Sequence, residues 1–587
     1  MNKGFKSGNI FHNSVFRKLL TLTRLFRPRF YTAIVLTLAI SVIGPLRPYL
    51  MQVSIDRYIS LGDREGLILI SAGILLLLVL QSGLQVWSTI LANYIGQEVI
   101  KDLRIKVYRY LTSLRTSYYD KTPVGTMVTR TVNDVETIAD VFSDGLINIA
   151  GDMLQIIFIL IMMFSTDWKL SLVSLSVLPF LLYAGYVFKE KVRMSFEDVR
   201  NQVARLNTYV QEHIQGMQIV QLFNRESAEM KHFTKINQQH RDANIRSVWY
   251  YSVFFPVVEM IAATSTALIL WYGSYGVLND VTSIGTMIAF ILYINMFFRP
   301  IRQLADRFNT LQMGMVASER IFKLVEENDL IESTGETDPG KVAGKIEFSH
   351  VWFSYTGTEQ VLKDISFTVK PGSTMALVGA TGSGKTTIIN LLNKFYRPTQ
   401  GYIELDGNQL ESLNNVKLRQ HIGTVLQDVF LFSGTVLDNI RLYNQEITEK
   451  QVEETARLLG AHDFIAKLPN GYHQQVEERG LTLSVGQRQL ISFVRAMVTN
   501  PSILVLDEAT ASIDHDTEQV IQQAIRKMLQ GRTSIIIAHR LSTIRHVDEI
   551  LVMDKGTIVE RGNHTELILL NGIYKKLYEI QFAHALN

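Results

Sequence analysis

The sequence predicts two unlike halves, an all-α bundle of six membrane-spanning helices and then an α/β domain built around a phosphate-binding loop. Three observations carry this. Long apolar runs crowd the first half of the 587-residue chain, whereas the part after about Lys341 alternates short apolar strands with amphipathic helices. The stretch GATGSGKTT at 379–387 fits the pattern G-x-x-x-x-G-K-[ST]. Downstream, an apolar strand ends in Asp507 and Glu508, where a parallel sheet presents its carboxyl edge.

The formal charge of +3 is near neutral and gives no reason to expect a nucleic-acid partner. With no cysteine there is no disulfide framework, thiol catalysis or cysteine metal site. Segment 1–30 is basic (Lys3, Lys6, Arg17, Lys18, Arg24, Arg27, Arg29) and somewhat amphipathic, without a cleavable signal pattern. It is expected to lie on the inner leaflet as an interfacial helix.

Segments 31–53, 67–91, 146–164, 170–188, 253–277 and 284–298 can span, since roughly 20 apolar residues cross a bilayer. The sixth is short, and its helix is expected to continue through 299–309. The run Gly-Ile-Leu-Leu-Leu-Leu-Val-Leu at 73–80 argues for lipid rather than a soluble core. Loops alternate short and long. The short side carries only Arg57, Arg64 and Lys169, whereas one long connection alone holds ten lysines and arginines between Lys189 and Arg246. Positive charge marks the cytoplasmic side, so both termini are expected there. Stretches 95–114 and 196–223 are helical in pattern and continue the spans into the cytoplasm, giving a transmembrane domain at 31–325.

Ionisable residues are few inside the spans. Arg47, beside Gly44, Pro45 and Pro48, reads as snorkelling to the outer interface. Asp152 and Glu259 either sit on a translocation cavity, biasing it towards cations, or pair with a polar neighbour. Tyr251, Phe254, Phe255, Met260, Tyr293, Met296 and Phe297 are expected mainly to pack helices or face lipid, with an apolar pathway as the alternative.

A charged, breaker-containing linker at 326–344 leads into the domain at 345–587. Strand 345–354 delivers Tyr355, which either stacks on a base or is an ordinary strand residue. Strand 374–378 feeds the loop and a helix over 385–393. Gly379, Gly382 and Gly384 let the backbone wrap a polyphosphate, Lys385 reaches its β- and γ-phosphates, and the Thr386 hydroxyl binds Mg²⁺. Strand 422–426 is followed by Gln427, whose amide can coordinate Mg²⁺ or position a water. Buried strand 501–506 delivers Asp507 for the metal and Glu508 to polarise the attacking water. Strand 533–538 delivers His539 towards the γ-phosphate.

These residues, with LSVGQ at 483–487, resemble the ABC transporter family, and specifically exporters that fuse six spans to one nucleotide-binding domain. The resemblance covers nearly the whole chain. It implies that Tyr355 stacks on adenine and that Gly379, Thr381, Gly382, Ser383, Gly384, Lys385, Thr386 and Thr387 form the Walker A site. It makes Gln427 the Q-loop residue, Ile503–Asp507 Walker B, Glu508 the catalytic glutamate, Ser512–Asp514 the D-loop and His539 the switch histidine. Ser484, Gly486 and Gln487, of the signature, would contact nucleotide held by a second subunit, as would Asp514. Two cytoplasmic stretches, Tyr119–Asp134 and 211–226, look like coupling helices. ATP and Mg²⁺ are the implied cofactors, and two ATP molecules would be sandwiched in a dimer. Val485 replaces the second glycine of the usual LSGGQ, and Glu477 replaces a glycine upstream. A homodimer is the favoured expectation because Glu508 and His539 are both present, and a heterodimer is the alternative.

The leading expectation is ATP-driven export of amphipathic small molecules such as drugs or lipids, from a bacterial inner membrane. A peptide or siderophore exporter is the alternative, although no peptidase domain precedes the spans. A channel or regulator on this scaffold lacks its usual extra domain, six spans exclude a soluble ATPase, and the fusion argues against import. The cargo itself is not written in the sequence.

Overall fold

The computed structural model describes residues 18, 26–326, 335–507, 515–538 and 544–585. Most of the N-terminal segment and linker residues 327–334 therefore lie outside the described residues, as do Glu508, Ser512–Asp514 and His539. Two compact units result, one of Met1–Thr112 with Pro123–Asn328, the other of Ser113–Thr122 with Asp329–Asn587.

The first unit is helical: α1 (Arg27–Val53), α2 (Arg64–Thr112), α4 (Val124–Thr166), α5 (Trp168–Gln215), α6 (Met217–Leu222), α7 (Glu226–Leu278) and α8 (Ile284–Glu326). The short α3 (Thr116–Lys121) belongs to the second unit. Among the described residues, six helices are long and apolar enough to cross a membrane. The sixth continues past Pro300, as its pattern predicted, and the two long connections are helical extensions of spans.

Several polar groups inside the spans find partners within the protein, as a bilayer demands. Pro45 has no N–H for the Ser41 carbonyl, and on the same helix the buried Tyr293 hydroxyl donates to the Pro45 carbonyl at 3.1 Å, tying α8 to α1. The Ser41 hydroxyl reaches the Gly151 carbonyl at 3.1 Å, tying α1 to α4. At the short-loop ends two aspartates fasten helices together. Asp56 accepts from the Ser283 hydroxyl and, at 2.9 Å, from the Gly285 N–H at the start of α8. Asp167 caps α5 through the Lys169 and Leu170 N–H groups at 3.0 Å and accepts the Thr282 hydroxyl at 3.0 Å.

Of the two readings of Asp152, pairing holds. Its carboxylate meets the Arg307 guanidinium of α8, both side chains being largely buried. Losing one partner would strand the other charge. Asp152→Ala is expected to lower stability by about 3–5 kcal/mol, and adding Arg307→Ala should restore much of it. Thermal unfolding of the two variants in detergent checks this. Glu259 is exposed on α7, where it borders an open depression with Phe255 and Met260. Tyr293 and Phe297 are core residues, and Phe254 stacks on Phe188 at 3.8 Å, so these three pack helices.

The second unit begins with β1 (Ile346–Phe353), β2 (Leu362–Val369), β3 (Thr374–Gly379), α9 (Lys385–Leu392), β4 (Gln400–Leu405) and β5 (Asn408–Gln409). There follow α10 (Asn415–His421), β6 (Ile422–Val425), β7 (Gly434–Thr435), α11 (Val436–Arg441), α12 (Glu449–Leu459), α13 (His462–Ala466) and β8 (Gln475–Val476). The remainder is α14 (Val485–Met497), β9 (Ile503–Asp507), α15 (His515–Leu529), β10 (Thr533–Ile537), β11 (Glu549–Asp554), β12 (Thr557–Gly562), α16 (His564–Leu569) and α17 (Ile573–Ala585).

One sheet runs β12-β11-β3-β10-β9-β6, parallel except for the antiparallel edge strand β12. Every residue of β9 and β10 is buried, which explains the apolar runs at 503–506 and 535–537 within them. Alternation along β3 divides the core. Ala376 and Val378 face α12, α14 and α15, whereas Met375 and Leu377 face the antiparallel sheet β2-β1-β4-β5. Both faces of β3 are thus clamped, fixing the loop that leaves its carboxyl end.

Candidate nucleotide-binding site

That loop joins β3 to α9. Gly384 sits at φ +102°, a left-handed conformation, and a Cβ there would lie 2.6 Å from the Leu362 side chain. At Gly379 a Cβ would lie 2.2 Å from the Met553 carbonyl of β11. Only glycine fits either position. The first-turn N–H groups of α9 lack partners within the helix, and with its dipole they form a site for anions.

Lys385, 6% exposed, folds back over the loop. Its ammonium donates to the carbonyls of Gly379 at 2.8 Å and Ala380 at 2.9 Å. Burial pulls its pKa below the ordinary lysine value, and the charge of Asp507 opposes that. Thr381, Gly382 and Thr386 are exposed, while Ser383 and Thr387 are buried.

Sheet register brings the carboxylate close. Ile537 of β10 pairs with Leu377 of β3 on one side and with Asp507 of β9 on the other. Asp507 therefore ends β9 two strands from the loop, roughly 10 Å across the sheet. Val425 of β6 pairs with Leu506, so exposed Gln427, two residues on, leaves the same carboxyl edge. Gly379–Lys385, Asp507 and Gln427 thus gather at one edge.

Tyr355 adds a wall. Its hydroxyl lies 3.2 Å from the Thr387 hydroxyl and accepts from Asn390 at 3.3 Å, both on α9. Its ring meets Phe353 edge-on at 4.7 Å and Tyr396 at 4.9 Å, and 38% of the residue stays exposed. Tyr396 in turn donates its hydroxyl to Asp120 of α3.

The signature residues open α14. Ser484 accepts from the Gln487 N–H at 3.2 Å, and the Gln487 amide oxygen accepts from the Ser484 N–H at 3.0 Å, a reciprocal cap. Gly486 is buried, and among the described residues no hydrogen bond joins this cap to the loop at 379–385. Val485 is the first residue of the helix and 44% exposed. Its side chain stands clear of the cap, so the backbone donors a glycine would offer are retained. Glu477 has φ −74°, which any residue adopts.

Three residues near the site were given no role from sequence, although Gln489 closes the stretch LSVGQRQ at 483–489. Arg495 of α14 is held between the Asn439 carbonyl at 2.7 Å and the Phe430 carbonyl at 3.1 Å, pinning the segment after Gln427. Burial lowers its pKa. Tyr396 supports Tyr355, and the buried Gln489 lines a small cavity with Asp507. No spacing marks the first two. Gln489 lies two residues beyond LSVGQ, and only burial distinguishes it.

Comparison with known proteins agrees with this geometry. Residues 30–301 match the family model of the ABC transporter transmembrane region, and residues 362–511 match that of the ABC transporter. An uncharacterized ABC transporter ATP-binding protein of Bacillus subtilis is 40% identical over 84% of this chain and 82% of its own. An ATP-dependent lipid A-core flippase of Syntrophus aciditrophicus is 34% identical over 97% of this chain and 94% of its own. A Staphylococcus aureus protein, provisionally named a multidrug export ATP-binding/permease protein, is 34% identical over 96% of this chain and 99% of its own. Six apolar helices, a phosphate loop on a clamped parallel strand and these matches make the chain a member of the ABC transporter family, of the exporter kind in which membrane region and ATPase share one polypeptide.

Proposed function

We propose that this ATP-driven exporter moves amphipathic small molecules, drugs or lipids, out of the cytoplasm or inner leaflet of a bacterial inner membrane, with both termini cytoplasmic. What carries the reading is a clamped phosphate loop in the same chain as six apolar helices. Relatives named for lipid flipping and multidrug export support the cargo class.

The donor set fits nucleotide and Mg²⁺. The α9 N-terminus and the Lys385 ammonium suit a polyphosphate, and the exposed Thr386 hydroxyl with the Asp507 carboxylate and Gln427 amide suits a hard cation. Tyr355 offers its free ring face to adenine, with Gly379, Thr381, Gly382, Ser383, Gly384 and Thr387 lining the phosphates. When bound, Mg²⁺ neutralises charge at the β- and γ-oxygens. Glu508 would polarise the attacking water and His539 would contact the γ-phosphate. Ser484, Gly486, Gln487 and Asp514 would close over nucleotide bound by a second copy. Because γ-phosphate touches both surfaces, its loss weakens the interface and resets the spans.

Glu508 and His539 are both present in the sequence, which favours a homodimer. Val485→Gly is then expected to change ATPase activity by no more than about twofold, roughly 0.4 kcal/mol, since the N–H is kept. A rise of about tenfold would instead mark Val485 as attenuating the site, as in the weaker half of a heterodimer.

The experiment is ATP-dependent uptake into inside-out vesicles of fluorescent phospholipids and cationic amphiphiles. Accumulation of one class, lost in Lys385→Ala, supports the reading. No accumulation anywhere in the panel, by protein that hydrolyses ATP, overturns the cargo class and returns attention to peptides or siderophores.

A further inference from the structure

Behind the carboxyl edge lies a small cavity of about 10 Å³, close to the space a single water centre requires, roughly 10–15 Å³. Apolar side chains of β6, β9, β10, α14 and α15 make most of its wall. Its polar lining, among the described residues, is Gln489 and Asp507. Gln489 is 7% exposed, and its buried amide oxygen has no hydrogen-bond partner. Leaving such an acceptor dry costs about 1–3 kcal/mol.

We propose that this cavity holds a structural water donating one hydrogen to the Gln489 amide oxygen and the other to the Asp507 carboxylate. The chemistry selects the occupant. Both groups offer acceptors here, so the bridge must be a double donor small enough for the space, and water is that molecule. A metal ion or a second amide does not fit both conditions.

The bridge gives Gln489 a job. It is a positioning residue that holds the Asp507 carboxylate in the orientation needed for Mg²⁺, an outer-shell role whose loss typically weakens metal affinity 10–100-fold. It also joins two places that serve different nucleotides. Gln489 sits on the first turns of α14, the helix that Ser484 caps, whereas Asp507 ends β9 beside the phosphate loop. In the dimer proposed above, the water therefore ties the signature helix to the metal position within each subunit.

The inference rests on Asp507 being the Mg²⁺ residue, so the test includes that residue. Binding of a fluorescent, non-hydrolysed ATP analogue to the full chain in nanodiscs is titrated with Mg²⁺. Gln489→Leu, close in volume but without the acceptor, is expected to raise the Mg²⁺ midpoint about tenfold while leaving Mg²⁺-free binding unchanged. Gln489→Asn, with its amide drawn back, should shift it less. Ile525→Val alters the same wall without touching a polar group and should not move it. If both Gln489 variants are folded and keep the wild-type midpoint, or Ile525→Val shifts it equally, the water bridge is wrong. If Asp507→Asn also leaves the midpoint in place, the metal assignment itself has failed.

Discussion

Glu508→Gln is expected to bind ATP normally, to hydrolyse it about 10²–10⁴-fold more slowly, and to accumulate as a closed dimer. That loss corresponds to roughly 3–5 kcal/mol of transition-state stabilisation. The amide keeps the shape of the carboxylate and can still hold a water, but it cannot take the proton of the attacking one. Since γ-phosphate then persists, the contacts that join the subunits persist with it. Single-turnover hydrolysis and crosslinking across the dimer read the two effects separately. Normal turnover would remove Glu508 from the role of base, and slow turnover without a closed dimer would detach hydrolysis from the reset.

Lys385→Ala should fail one step earlier, at binding. Its ammonium is the buried cation nearest the loop, and a charge-assisted hydrogen bond of about 1.5–3 kcal/mol predicts ATP affinity lower by roughly 10–100-fold. The same ammonium closes the loop on itself through the Gly379 and Ala380 carbonyls, so its removal also loosens 379–384. Lys385→Met, which keeps the buried stem, separates loss of the ammonium, with its phosphate and loop hydrogen bonds together, from loss of the stem's packing. Equal loss in both variants assigns the effect to the charge. Unchanged nucleotide affinity in either would contradict the phosphate-loop reading.

Architecture was legible because it is written in local periods. Apolar runs of bilayer length announce the spans, and the fully buried strands β9 and β10 read as short runs of Ile, Leu and Val at 503–506 and 535–537. Gly379 and Gly384 were legible for a related reason, since backbone geometry there admits nothing else. Long-range side-chain pairing was not. Asp152 and Arg307 are 155 positions apart, and nothing near either residue names the other. Tyr396 and Asp120 are 276 apart and meet only because α3 belongs with the second unit. Asp56 likewise meets Gly285, 229 positions away, and Asp167 meets Thr282, 115 positions away. Val485 shows the opposite case, a departure from pattern visible in sequence whose expected mildness rests on the cap geometry.

The most direct test of the account is steady-state ATP hydrolysis by this chain purified alone in lipid bilayers, because a single polypeptide is claimed to supply every part of the composite site. The account predicts Mg²⁺-dependent turnover of roughly 1 s⁻¹ or faster, abolished by Glu508→Gln. Folded, ATP-binding protein that hydrolyses nothing until a second, different half-transporter is added would contradict it.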